Sequence, residues 1–183
     1  MDKILFLFFF FLPAGLANSA PVLALKVPGL KKLSYPIDFN LKLKGERILG
    51  DHKTIRGFVL AILTGITVVA IQKHLYMNWE QLREISEIDY GGISSIILGS
   101  LLGFGAVFGD AFKSFFKRRI GIKPGGPWIP FDQVDFIIGG SLFSSVYIPL
   151  AFTDYLILFV VFIILHFTTN VVAYALKLKD VPY

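Results

Sequence analysis

The sequence predicts an all-α integral membrane protein with about five transmembrane helices, its polar loops gathered into one site. Three observations predict it. Apolar residues fill 55% of the 183 positions, mean hydropathy is +0.68 and phenylalanine occurs 19 times, far from the make-up of an ordinary soluble domain. The apolar residues fall into runs of bilayer-crossing length, at approximately 4–25, 57–76, 91–109, 134–152 and 155–176. Between these runs lie two strongly basic segments, 26–56 and 110–133, read as loops of a single domain covering 1–183. The formal charge of +5 and pI near 9.4, on a chain this apolar, point to anionic lipid or phosphorylated ligands and not to nucleic acid. The chain has no cysteine, which excludes disulfide, thiolate and Cys-ligated zinc chemistry.

The first run, Ile4 to Leu25, follows Lys3 and contains Pro13. A cleaved signal peptide ending in the ANSA stretch competes with a kinked span; because apolar residues resume past Pro21, the span is adopted. Segment 26–56 then carries eight cations. Its first half, VPGLKKLSYPID, reads as interfacial. Its second half brings Lys44, Arg47, Asp51, His52, Lys53, Thr54 and Arg56 just before an apolar run. Two readings stay open there: a charged flank that orients the next helix, or a phosphate-binding loop. It is not a Walker loop, because the lysine follows Asp51-His52 instead of glycine.

The second span, Gly57 to Tyr76, leads to an acidic segment in which Trp79, Leu82, Ile85 and Ile88 step by three, the pattern of a short amphipathic helix with a solvated charged face. The third span, 91–109, is rich in Gly and Ser; Gly99 and Gly103, four apart, admit a close helix neighbour. The fourth, 134–152, carries Gly139, Gly140, Ser141, Ser144 and Ser145 for the same purpose. After a Thr153-Asp154 turn the fifth run holds His166 and Asn170, suited to interhelical hydrogen bonds or to a substrate path. Fifteen of the eighteen Lys and Arg residues lie in 26–56, 113–123 and 177–179, which predicts a multi-pass cell-membrane protein with its N-terminus outside and both polar segments in the cytoplasm.

The stretch Gly109 to Asp135, GDAFKSFFKRRIGIKPGGPWIPFDQVD, places five cations between two apolar runs. Burying them at the bilayer centre would cost on the order of 12 to 17 kcal/mol at ~2.5 to 3.5 each, so they belong in water or among headgroups. If the preceding helix continues, Asp110, Lys113, Ser114, Lys117, Arg118 and Gly121 share one face, until Lys-Pro-Gly-Gly-Pro ends it. Asp132 and Asp135, three apart, would share a face of the next helix, or cap its N-terminus. Carboxylates suit Mg²⁺ and Lys or Arg suits phosphate, so a site holding both suggests a nucleoside triphosphate with its metal.

At SFFKRRIGIKPGG followed by DQVD, Ser114 to Asp135, the chain resembles the signature of the CTP:phosphatidate cytidylyltransferases. Over its full length, with HKTIRG before the second span and the compact GDAFKSFFKRR, it is similar to the archaeal branch, the CDP-archaeol synthases. It departs from the bacterial pattern in having no acid after Lys123, Gly126-Pro127-Trp128 in place of His-Gly-Gly, and Gln133 between the final aspartates. The resemblance implies transfer of CMP from CTP to an unsaturated geranylgeranyl diether glycerol phosphate, with Mg²⁺, releasing pyrophosphate. It implies Asp110, Asp132 and Asp135 as metal ligands and, with Lys113 and Lys117, as the catalytic set. Ser114, Arg118, Arg119, Pro124 and Gly125 would contact substrate phosphates, with Lys44, Arg47, Thr54 and Arg56 on the opposite wall. Partners would be CTP, the isoprenoid ether lipid phosphate and the bilayer, and a homodimer is left open. Two rivals remain at this stage. A transporter of a phosphorylated substrate would show inverted halves or charge at the midplane, whereas here the charges cluster at one end, and a CDP-alcohol phosphotransferase would need an aspartate-rich motif with Asp-Gly and Ala-Arg pairs that is missing.

Overall fold

The computed structural model describes residues 2–24, 33–124 and 126–175. Helices α1 (Asp2–Ala24), α2 (Ile55–Asn78), α3 (Glu80–Ile85), α4 (Ser95–Arg119), α5 (Phe131–Ser144) and α6 (Phe152–Ala175) carry the fold, with a small hairpin of β1 (Lys42–Leu43) and β2 (Glu46–Arg47) before α2. Lys26, Lys31, Lys32, Gly125, Lys177 and Lys179 lie outside the described residues, as do the side chains of His166 and Asn170.

The first apolar run is a working part of the bundle. Phe6, Leu7, Phe10, Phe11, Ala14 and Ala17 of α1 are fully buried, and α1 packs on α2, α4, α5 and α6. Phe11 meets the rings of Phe136 and Phe162, which ties α5 and α6 to it.

Helix α4 is the middle layer between α2 and α5, and glycine puts it there. A Cβ on Gly103 would strike the Ala61 carbonyl oxygen, and one on Gly99 would strike the backbone of Ile66. On the other side a Cβ on Gly105 would come within 2.5 Å of the Gly139 carbonyl oxygen, and one on Gly109 would strike the Asp135 carbonyl oxygen. Small residues four apart thus serve two faces of one helix, the route by which helices without a hydrophobic drive to associate in lipid pack closely.

Among the described residues four helices are long and apolar enough to cross a membrane: Asp2–Val22, Ile55–Asn78, Ser95–Arg119 and Phe152–Thr169. The fourth expected span ends early. Helix α5 has 14 residues, about 21 Å at 1.5 Å per residue against a ~30 Å hydrocarbon core. Residues 145–151 turn instead of continuing, because Pro149 disfavours helix in the residue before it. The expected loop 110–133 is also corrected, since α4 carries on through Arg119 and supplies its first ten residues as helix.

Charges segregate to two ends. At one end Lys3 pairs with Glu87 (2.5 Å) and Asp154 (2.9 Å), Lys73 donates to the carbonyls of Gly91 and Ile93, and Arg83 donates to that of Met77. The start of α2, the end of α4 and the start of α5 meet at the other, where the two basic segments come together.

Candidate active site

The close approach at Gly109 sets the site. Once α4 is seated on the backbone of α5, the next turns of α4 put Asp110, Lys113 and Lys117 beside Asp132 and Asp135 of α5. Lys113 Nζ lies 3.2 Å from Asp110, 2.7 Å from Asp132 and 2.5 Å from Asp135. Lys117 Nζ donates to both oxygens of Asp132, at 3.0 and 3.2 Å. Asp132 also accepts the backbone N–H of Trp128 at 2.5 Å, which folds the 128–131 turn back over the cluster. Neither aspartate caps α5, whose N-cap is Pro130 with no side-chain hydrogen bond.

A third lysine completes the cluster. Lys53 Nζ pairs with Asp110, bringing the segment before α2 onto α4. Sequence reasoning singled out the stretch around it but assigned Lys44, Arg47, Thr54 and Arg56 instead; the signal was its place one residue before a helix cap. Thr54 is that cap, its hydroxyl accepting the Gly57 N–H. Pro36 bridges to Thr54, and Ile37 donates to the Lys53 carbonyl, so the loop is held flat against the helix start.

The other expected residues divide between scaffold and site. Arg47 holds the buried Asp38 at 2.6 Å and Asp51 at 2.6 Å, bracing the hairpin. Burial pushes the Asp38 carboxyl up, but Arg47 and the N–H groups of Leu49, Gly50 and Asn40 outweigh it and hold the group below the ordinary carboxylate value. Lys44 sits exposed at the hairpin tip with Gly45, both at positive φ, the pattern of a tight two-residue turn. Arg119 donates to the carbonyls of Leu43, Glu46 and Arg47, locking the hairpin to the end of α4. Ser114 donates to the Asp110 carbonyl at 2.8 Å. The Nε atoms of Arg56 and Arg118 are buried and find no hydrogen-bond partner among the described residues. Pro124 is exposed, and Gly125 lies outside the described residues.

An apolar groove of about 490 Å³ runs between α4 and α5, with Lys113 and Asp135 among its lining residues. Phe108, Phe112 and Phe116, at steps of four along α4, form one wall, the first pair stacked and the second edge to face; Trp128, Phe131 and Leu142 form the other. A lining of this kind is suited to hydrocarbon.

The donor chemistry, three carboxylates, is of the kind that suits a hard divalent ion. Three carboxylates converge on a single cationic centre, the Lys113 ammonium, which stands in for such an ion. Among the described residues no group of three such side chains is already spaced to hold a metal ion, the Lys113 ammonium standing between the carboxylates.

A solved structure described as "Structural insight into an intramembrane enzyme for archaeal membrane lipids biosynthesis" is similar to this fold with a TM-score of 0.69 at 27% identity, over 89% of this chain and 91% of that one. A CDP-archaeol synthase from Methanococcoides burtonii is 38% identical over 81% of this chain and 90% of its own length, and one from Pyrococcus furiosus 35% identical over all of both. The fold is that of an intramembrane enzyme of lipid synthesis, and the class the matches define is an integral membrane nucleotidyltransferase. Residues 1–183 match the family described as "CarS-like: CDP-archaeol synthase", and the chain belongs to that family of CTP-dependent cytidylyltransferases.

Proposed function

We propose that the chain, as one transmembrane catalytic domain, transfers CMP from CTP to 2,3-bis-O-geranylgeranylglycerol 1-phosphate, with Mg²⁺, giving the CDP-linked ether lipid and pyrophosphate. The observation that carries the reading is the aromatic groove opening on a lysine–aspartate cluster, which joins a hydrocarbon site to a phosphate site. Family membership favours it over transport.

A lipid phosphate oxygen attacks the α-phosphorus of CTP. The new P–O bond forms as the bond to the α–β bridging oxygen breaks, and the electron pair leaves with pyrophosphate. The nucleophile is already anionic, so no strong general base is needed and the work is positioning and charge neutralisation. Lys113, which lines the groove, receives the lipid phosphate. Lys53, Lys117, Arg56 and Arg118 face the nucleotide phosphates, the buried guanidinium Nε atoms taking the acceptors they lack in the protein. Asp110, Asp132 and Asp135 would hold Mg²⁺, which when bound supplies neutralisation of the phosphate charge.

The basic end faces the cytoplasm, where CTP is, and the N-terminus lies outside. Purified protein given CTP, Mg²⁺ and the unsaturated ether lipid phosphate is expected to yield a CDP-lipid by mass spectrometry. The same lipid without its phosphate should yield none, and EDTA should stop the reaction. A product formed from the unphosphorylated lipid, or none from any nucleoside triphosphate, would overturn the proposal.

A further inference from the structure

We propose that the Lys113 ammonium is a tethered counter-ion that occupies the divalent cation's place among Asp110, Asp132 and Asp135 and leaves it for a phosphate when metal and nucleotide arrive. The inference rests on the reading that those three carboxylates hold the metal.

Three observations carry it. Among the described residues only Lys113 reaches all three carboxylates, at 2.5 to 3.2 Å, whereas Lys53 pairs with Asp110 alone and Lys117 with Asp132 alone. Its side chain is 12% exposed, so three acidic groups are held together around a buried charge that water could not replace. Each of the three aspartates is paired with at least one of the three lysines. A divalent ion entering alone would meet an ammonium already in its seat; one entering with a triphosphate brings the anion that draws the ammonium away. Lys113 also lines the apolar groove, the side toward which it would turn to meet a lipid phosphate.

Lys113 is therefore a positioning residue for the empty enzyme and a phosphate ligand for the loaded one. The device keeps the carboxylates gathered before substrate binds, and it disfavours metal without nucleotide.

The test is Mn²⁺ binding followed by electron paramagnetic resonance, without nucleotide, on the detergent-purified full chain. Lys113→Met should bind Mn²⁺ at least about tenfold more tightly than the parent, a change of ~1.4 kcal/mol. Lys113→Arg, which keeps the charge, should bind as weakly as the parent. Its apparent melting temperature should fall for Lys113→Met and be restored by Mg²⁺ in that variant alone. Equal Mn²⁺ affinity in parent and Lys113→Met would overturn the inference and leave the metal reading standing. Absence of Mn²⁺ binding in both, with and without CTP, would overturn the two together. If Lys113→Met does not fold in metal-free buffer, Mg²⁺ during purification is expected to rescue it, and failure of that rescue also counts against the inference.

Discussion

Asp132 shows how much one side chain is asked to do. It accepts from Lys113, from Lys117 and from the Trp128 N–H, so it links α4, α5 and the turn between them. Asp132→Asn keeps the shape and removes the charge. CMP transfer should drop by at least about a hundredfold, the scale on which one preorganised electrostatic group acts, while circular dichroism in detergent stays unchanged. Activity within a few-fold of the parent would remove Asp132 from the site. At this scale most of the cluster was legible, because Asp110, Lys113 and Lys117 fall at helical steps and Asp132 and Asp135 are three apart. Lys53 was not, because its pairing with Asp110 spans 57 positions and no local pattern announces it. Arg47 and Thr54 have the residue types of phosphate ligands, yet their side chains are engaged with Asp38 and the Gly57 N–H.

Between elements, the decisive contact is glycine on glycine. A side chain at Gly139 would strike the Gly105 carbonyl, so Gly139→Val must push α5 from α4 and separate Asp135 from Lys113. Overpacking of this kind costs roughly 1–3 kcal/mol. A lower melting temperature together with lost transfer is expected; a fully active, equally stable variant would show that the approach is not what builds the site. The hairpin invites a pH test. Asp38 titrates below its unfolded value, so its contribution is present above about pH 4 and is lost as pH falls through the lower folded value. Amide protection over residues 38–53, corrected for the intrinsic pH dependence of exchange, should hold from neutral pH down to about pH 4 and fall below it, and Asp38→Asn should show the low protection at neutral pH as well. The small-residue packing was readable from spacing alone. The hairpin was missed because Lys44-Gly45 was read as part of a charge run, and the early end of α5 because apolar residues continue past Ser144 while Pro149 breaks the helix.

The whole molecule is a bundle with two chemically different ends and an apolar groove between two of its helices. Absence of cysteine makes the ends easy to assign. An impermeant thiol reagent added outside intact cells should label Glu84→Cys and spare Lys123→Cys; the reverse pattern would turn the topology over. The order of spans and their basic flanks was legible from composition, whereas the groove depends on Phe108, Phe112 and Phe116 facing Trp128 and Leu142 across a gap that only the folded chain defines. The most direct test of the central claim follows the phosphorus. With CTP labelled in turn at the α and γ positions, α-label should pass into the lipid and γ-label into pyrophosphate. Transfer of γ-label to the lipid, or of neither, would contradict a cytidylyl transfer at this site.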